Sequence, residues 1–201
     1  SVRGIIFYQG ESDVWWQRPV YCDWFPPFII DLRAQWGEEL PFYYVQLQSA
    51  ELSDTQEERM LAVRQCQFDT LSLPNTGMAV IADLDGGLHP THKEPVSERL
   101  ALIARALQYG EAIEYSGPVY TTGVVDGNTI RLSFDHIAGG LVAQGGTLSS
   151  YMNPLAPFKI GVSDGNYYSA DAVIDGNEVV VSNPGVSMPI QVQYAYYDSP
   201  T

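Results

Sequence analysis

The run Pro41-Phe42-Tyr43-Tyr44-Val45-Gln46-Leu47 decides how this chain is read. It is short, apolar and aromatic, which is strand composition, and a proline announces it. Stretches of helical spacing stand on either side. Upstream, Tyr21, Phe25, Phe28, Ile29, Leu32 and Trp36 recur at helical intervals, and Gly37 ends the pattern. Pro26-Pro27 predicts a break there, or a helix that begins at the prolines, because proline lacks an N–H and crowds the preceding turn. Downstream, Met60, Leu61, Arg64, Phe68 and Leu71 mark a helix over 57–73, with Glu57 and Glu58 in its first turn.

Further out the same alternation continues. Residues 3–8 read as a buried strand, and 78–82 as another after the turn Pro74-Asn75-Thr76-Gly77. Residues 94–109 give the cleanest helix: Pro95 near its first turn, a stripe of Val96, Leu100, Ile103 and Leu107, and Gly110 to close it. The order is β-α-β-α-β-α. Crossovers of this length imply parallel strands in an α/β layer fold. Ligands of such sheets bind beyond the carboxyl ends of the strands. That rule selects residues 9–13, 46–51 and 83–92.

After Gly110 the helical period disappears. Short β-rich runs cover 119–125, 129–134, 158–162, 167–174, 178–182 and 190–196. Asp126-Gly127, Asp164-Gly165 and Asp175-Gly176 punctuate them, a strong hairpin signal. The expected organisation is an α/β domain over 1–111 and an antiparallel β-sandwich over 112–201.

The chain carries 24 acidic against 10 basic residues, a formal net charge of -14. That argues against a nucleic-acid partner and an anionic membrane surface, and is compatible with a neutral substrate such as a sugar. No apolar run approaches the length of a membrane span. The start at Ser1-Val2-Arg3, without an initiator Met, suggests a processed or partial chain. Cys22 and Cys66 are too few for a disulfide framework and read as two buried small hydrophobes; with three His, no metal site is expected.

The loop Asp83-Leu84-Asp85-Gly86-Gly87-Leu88-His89-Pro90-Thr91-His92-Lys93 lies after a strand and before a helix. A histidine there suits general-base work, since imidazole accepts a proton near neutral pH and a carboxylate on its far nitrogen fixes the tautomer. His89 is the candidate; His92 reads as solvated or as a helix-entry residue, and His136 as incidental. In Gln9-Gly10-Glu11-Ser12-Asp13, glycine permits close backbone approach, while Gln9 and Glu11 can orient a substrate or aid an oxyanion. Ser12 lacks the sharp nucleophile turn. Of Trp15, Trp16, Tyr21 and Trp24, either of the first pair could pack on a sugar face, whereas Trp24 reads as core. Gln46 and Arg64 are weaker candidates, a buried Arg64 tied to a loop carboxylate being the plain account.

Gly4-Ile5-Ile6-Phe7-Tyr8-Gln9-Gly10-Glu11-Ser12-Asp13 resembles the G-x-x-W-Y-Q-G-E-S block of sialate O-acetylesterases and related SGNH carbohydrate esterases. Residues 40–47 are similar to that family's L-P-F-x-x-V-Q-L strand, and Val63-Arg64-Gln65-Cys66-Gln67 to its R-x-x-Q helix. Residues 74–80 resemble its next strand entry, and Leu88-His89-Pro90-Thr91-His92-Lys93 with Glu98-Arg99-Leu100-Ala101 its histidine block. Residues 116–120 and 192–195 look like its C-terminal β domain.

The resemblance implies part of an SGNH-hydrolase, flavodoxin-like three-layer parallel sheet followed by a β-sandwich. It implies a Ser–His acetylesterase without cofactor, acting on sialic acid or plant-type polysaccharide esters in a secreted, periplasmic or lysosomal setting. His89 would be the base, and Gln9, Gly10 and Glu11 would line the oxyanion and sugar site, with Gln46 and Arg64 as further binding candidates. The sequence departs from the family twice. Gly87 stands where the family acid usually lies, so Asp85 becomes the acid candidate ahead of Asp83, or a Ser–His dyad operates. The family's G-Q-S-N nucleophile block is absent, so the serine is expected on an upstream segment or companion chain. The alternative reading is a non-catalytic carbohydrate-binding fragment.

Overall fold

The structure is a computed structural model. It describes residues 2–15, 21–36, 40–48, 54–84, 91–143, 149–150 and 157–195. The chain divides into two compact units, one running to Tyr115 and the other beginning at Ser116.

The first unit is built on a parallel sheet of β1 (Ile5–Phe7), β2 (Phe42–Val45) and β3 (Thr76–Ala79), in that spatial order. β2 is buried throughout, and its alternate side chains feed two cores. Phe42 and Tyr44 join Tyr21, Phe25 and Ile29 of α2 (Tyr21–Trp36) and Met60, Val63 and Cys66 of α3 (Asp54–Asp69). Tyr43 and Val45 join Ala79, Ile81 and Val96, Leu100 and Ile103 of α4 (Glu94–Ile103). Helices therefore cover both faces, as a parallel sheet requires. Phe25, Phe42 and Tyr44 are fully buried, each such side chain worth about 2–3 kcal/mol of transfer free energy.

Several expectations are corrected. Within this chain β1 stands at one end of the sheet order, and its Ile6 is 69% exposed. α2 runs unbroken through Pro26 and Pro27. The lost main-chain bonds are offset by packing on either side of the prolines: Tyr21, Trp24 and Phe25 form one aromatic cluster with Phe28 and Phe42. α3 gives way to a 3-10 turn over Thr70–Ser72, and β3 begins at Thr76, inside the expected turn. Asn75 takes the left-handed conformation, φ 56°, that asparagine tolerates. α4 passes into a π-helical turn, Ala104–Gln108, and Gly110 ends it at φ 71°. Cys22 and Cys66 are not two buried thiols. They form a disulfide with Cα atoms 5.4 Å apart, joining exposed Cys22 on α2 to buried Cys66 on α3. Both helices pack on one sheet face, which brings residues distant in sequence together.

The second unit contains two antiparallel sheets. One has the order β4 (Val119–Asp126), β5 (Thr129–Asp135), β9 (Glu178–Ser182), β8 (Asp171–Asp175). The other has the order β10 (Gln191–Tyr194), β6 (Phe158–Gly161), β7 (Tyr167–Ser169). All three Asp-Gly pairs close hairpins, with Gly127, Gly165 and Gly176 at positive φ. The run expected as one strand over 167–174 is two strands in different sheets, β7 and β8, with fully buried Ala170 at the crossing. Both sheets contribute to one apolar cluster: Ile130, Leu132, Val179 and Val181 from the first, Phe158 and Ile160 from the second. Among the described residues no helix is long and apolar enough to cross a membrane.

Candidate functional site

Three chain segments leave the carboxyl ends of the parallel strands and are bonded to one another or to α3. The first follows β1. Gly10 has φ 143° and is buried, and a Cβ there would meet the Tyr21 ring at 3.0 Å and Leu47 at 3.2 Å. Only glycine lets the chain lie this close to α2 and still turn. Its carbonyl accepts the Asp13 N–H at 3.0 Å, opening α1 (Glu11–Trp15). Gln9 and Ser12 are exposed, Glu11 is half-buried, and Asp13 is buried.

The second segment follows β2. The Gln46 amide donates to the Arg64 carbonyl on α3 at 3.2 Å. Gln48 is buried and its amide donates to the Leu84 carbonyl, tying this segment to the one after β3. Gln67, fully buried on α3, accepts the Leu47 N–H at 2.8 Å and donates to the Val45 carbonyl and the Tyr21 hydroxyl, both at 3.2 Å. Burial drives the Tyr21 hydroxyl well above the usual tyrosine range, and the Asp13 and Glu11 carboxylates add to this while the Gln67 hydrogen bond opposes it. Tyr8 is raised by burial and then by Glu11. Tyr21 is therefore a neutral, hydrogen-bonded floor beneath Gly10.

The third segment follows β3. Arg99 of α4 donates to both Asp83 carboxylate oxygens at 2.6 Å and to the Val80 carbonyl. This pairing holds the Asp83 carboxyl below the usual carboxylate range, against partial desolvation. Asp83 is thus committed to Arg99, which leaves it poorly suited to orient a histidine. Asp85, His89 and Trp16 lie outside the described residues. His92 is exposed before α4, and His136 sits in the second unit after β5.

The structure thus places Gln9, Gly10, Glu11 and Gln46 past the carboxyl ends of adjacent strands, with Arg64 buried on α3 behind Gln46. Trp15 is 39% exposed beside them, and Trp24 packs on Tyr21 at 4.9 Å as a core residue. Sequence reasoning passed over Gln67, Tyr21 as a support, and Arg99. The only signal was the position of Gln67 and Arg99 inside the matched blocks. A cleft of about 280 Å³ lies elsewhere, lined by Cys22, Pro26, Cys66, Asp69 and Thr70, and includes none of the candidate residues.

A parallel sheet with helices on both faces and polar groups gathered past its carboxyl ends defines an open α/β protein, a class whose ligands bind at that edge. The particular kind follows from sequence comparison: the chain belongs to the carbohydrate esterase, sialic acid-specific acetylesterase family, whose model matches residues 1–103. The mouse sialate O-acetylesterase is 34% identical over 140 aligned positions, covering 59% of this chain and 26% of the relative. The human protein of that name is 33% identical, covering 59% and 27%. The crystal structure of a carbohydrate acetylesterase from Xanthomonas citri superposes with a TM-score of 0.86 at 36% identity, covering 100% of this chain and 46% of that one. The chain therefore spans about a quarter of the curated relatives and under half of the solved structure.

Proposed function

We propose that this chain is the histidine-bearing part of a carbohydrate O-acetylesterase of the SGNH type. In this reading the first unit is part of the catalytic layer and the second is an accessory β-sandwich. The observation that carries the reading is the gathering of Gln9, Gly10, Glu11 and Gln46 at the carboxyl edge of the sheet in a chain of this family. A serine from an upstream segment or companion chain attacks the acetyl carbonyl, and His89 accepts its proton. The tetrahedral oxyanion collapses to an acetyl-serine with release of the sugar hydroxyl, which takes the proton back from His89. Water then enters with His89 again as base, and acetate leaves. Groups around Gln9 and Gly10 line the oxyanion and sugar site. Asp85 orients His89, or the pair works as a dyad. The chemistry needs no metal or organic cofactor.

The substrate in this reading is an acetylated sialic acid or plant-type polysaccharide, with no nucleic acid or membrane engaged. The Cys22–Cys66 disulfide supports a secreted, periplasmic or lysosomal setting, since such bridges persist in oxidising compartments. The test is acetate release from acetylated sugars by the full polypeptide carrying this chain. His89→Ala should lower kcat by about a thousandfold or more, and Ser12→Ala should leave it intact. Glycan binding without turnover in the parent protein would sink the esterase reading and leave a carbohydrate-binding one.

A further inference from the structure

We infer that Gln67 is a positioning residue of the candidate site, its side-chain amide standing in the sheet where the main chain of Gln9 would otherwise pair. The pairing of β1 with β2 runs Ile5↔Phe42, Ile6↔Tyr43, Phe7↔Tyr44. In a parallel ladder, a residue opposite position j donates its N–H to the carbonyl of j−1 and accepts from the N–H of j+1. The Ile5 N–H follows this rule, donating to the Pro41 carbonyl at 2.8 Å. Continuing the register brings Gln9 opposite Gln46. The Gln9 N–H would then go to the Val45 carbonyl, and the Gln9 carbonyl to the Leu47 N–H.

Gln67 holds both of those partners. Its Nε2 donates to the Val45 carbonyl at 3.2 Å and its Oε1 accepts the Leu47 N–H at 2.8 Å. A primary carboxamide carries a donor and an acceptor in one plane and so can replace a peptide group. The other side of β2 is undisturbed, the Gln46 N–H donating to the Ala79 carbonyl at 2.9 Å. β2 therefore stays paired with β3 while β1 is dismissed after Phe7. The second Nε2 hydrogen reaches the Tyr21 hydroxyl, and the Tyr44 hydroxyl donates to the Gln67 carbonyl at 2.6 Å, so the side chain and its backbone are both held. Because Tyr21 also lies under Gly10, one residue displaces the loop from the sheet and braces the ring it turns against. The main-chain groups of Gln9 are thereby released from the ladder toward the site.

The effect on activity rests on the esterase reading; the effect on pairing does not. The experiment compares Gln67→Met, close in volume but without the polar groups, with Gln67→Glu, which keeps the acceptor for Leu47. Both are made in the full polypeptide that carries this chain, with His89→Ala as control. Turnover of 4-nitrophenyl acetate is measured well below each melting temperature, together with amide exchange over residues 7–11 and 45–48. Gln67→Met should lower kcat about ten- to a hundredfold with KM within about threefold, and the Gln9 amide should gain protection as β1 zips further along β2. Gln67→Glu should fall between Gln67→Met and the parent. A purely structural Gln67 would lower the melting temperature while leaving kcat within about twofold and Gln9 exchange unchanged, which overturns the inference. If His89→Ala keeps full turnover, the esterase reading fails, and Gln9 exchange alone decides on Gln67.

Discussion

The two units end their strands in opposite ways. In the second, chain reversal is written into neighbouring residues: Gly127, Gly165 and Gly176 take positive φ in Asp-Gly turns, and nothing lies within 4 Å of where their Cβ atoms would be. In the first, strands begin and end by the action of distant side chains. Arg33 of α2 donates to the Leu40 and Asn75 carbonyls, both at 2.9 Å, at the amino ends of β2 and β3. Gln67 of α3 holds the carboxyl end of β2. A local turn can be exchanged or lengthened without disturbing its surroundings. A remote bond couples strand ending to helix packing, and the candidate residues Gln9, Gly10 and Gln46 lie beside one such bond, that of Gln67.

This contrast can be tested by substitution, beginning with the largest effect. Phe25→Ala removes a fully buried ring from the aromatic cluster over β2 and should cost about 3–5 kcal/mol in urea unfolding. It should also disturb the site, since Tyr21 and Trp24 lean on that ring. Ile160→Ala, in the second unit's core, should cost about 2–5 kcal/mol without altering amide exchange at residues 9–11. Equal disturbance of the site by both would break the distinction.

Gly10→Ala combines positive φ with a crowded Cβ position and should cost about 3 kcal/mol. Gly176→Ala carries backbone strain alone and should cost about 1 kcal/mol. The ratio of the two, read from urea midpoints, measures how much tighter the remote arrangement is. Cys22→Ser opens a bridge spanning 44 residues and should cost about 2–4 kcal/mol, seen equally on adding reductant to the parent. The smallest effect is at Asp83. Its carboxyl is depressed by the Arg99 hydrogen bonds, so the stabilisation is present above the unfolded carboxylate pKa and lost as pH falls through the folded value. With its side chain 59% exposed, Asp83→Asn should cost only about 0.5 kcal/mol at neutral pH after solvent screening. The gap to the parent should close in acid below about pH 4.

The same contrast explains what could be read in advance. The hairpins of the second unit were legible because an Asp-Gly pair between apolar runs carries its own conformation. The β-α-β order of the first unit was legible from helical period, strand composition and the prolines and glycines between them, and it placed Gln9, Gly10, Glu11 and Gln46 at the carboxyl edge. Pro26 and Pro27 misled because tertiary packing of Tyr21, Phe25 and Ile29 overrides a local breaker. The Cys22–Cys66 bridge and the Gln67–Tyr21 hydrogen bond join residues 44 and 46 positions apart, and no window along the sequence contains both partners. The split of residues 167–174 was hidden for another reason. A β-rich run does not show which sheet each half will join, and with alanine at both 170 and 172 residue size does not mark the crossing.

That crossing has a mechanical consequence. β7 and β8 are one continuous thread passed through both sheets, and Ser149 fastens it by donating to the Ala170 carbonyl at 2.7 Å. Pulling the sheets apart would therefore load covalent backbone before it peeled side chains. The second unit should yield to force in a single abrupt event, with neither sheet sliding off the other.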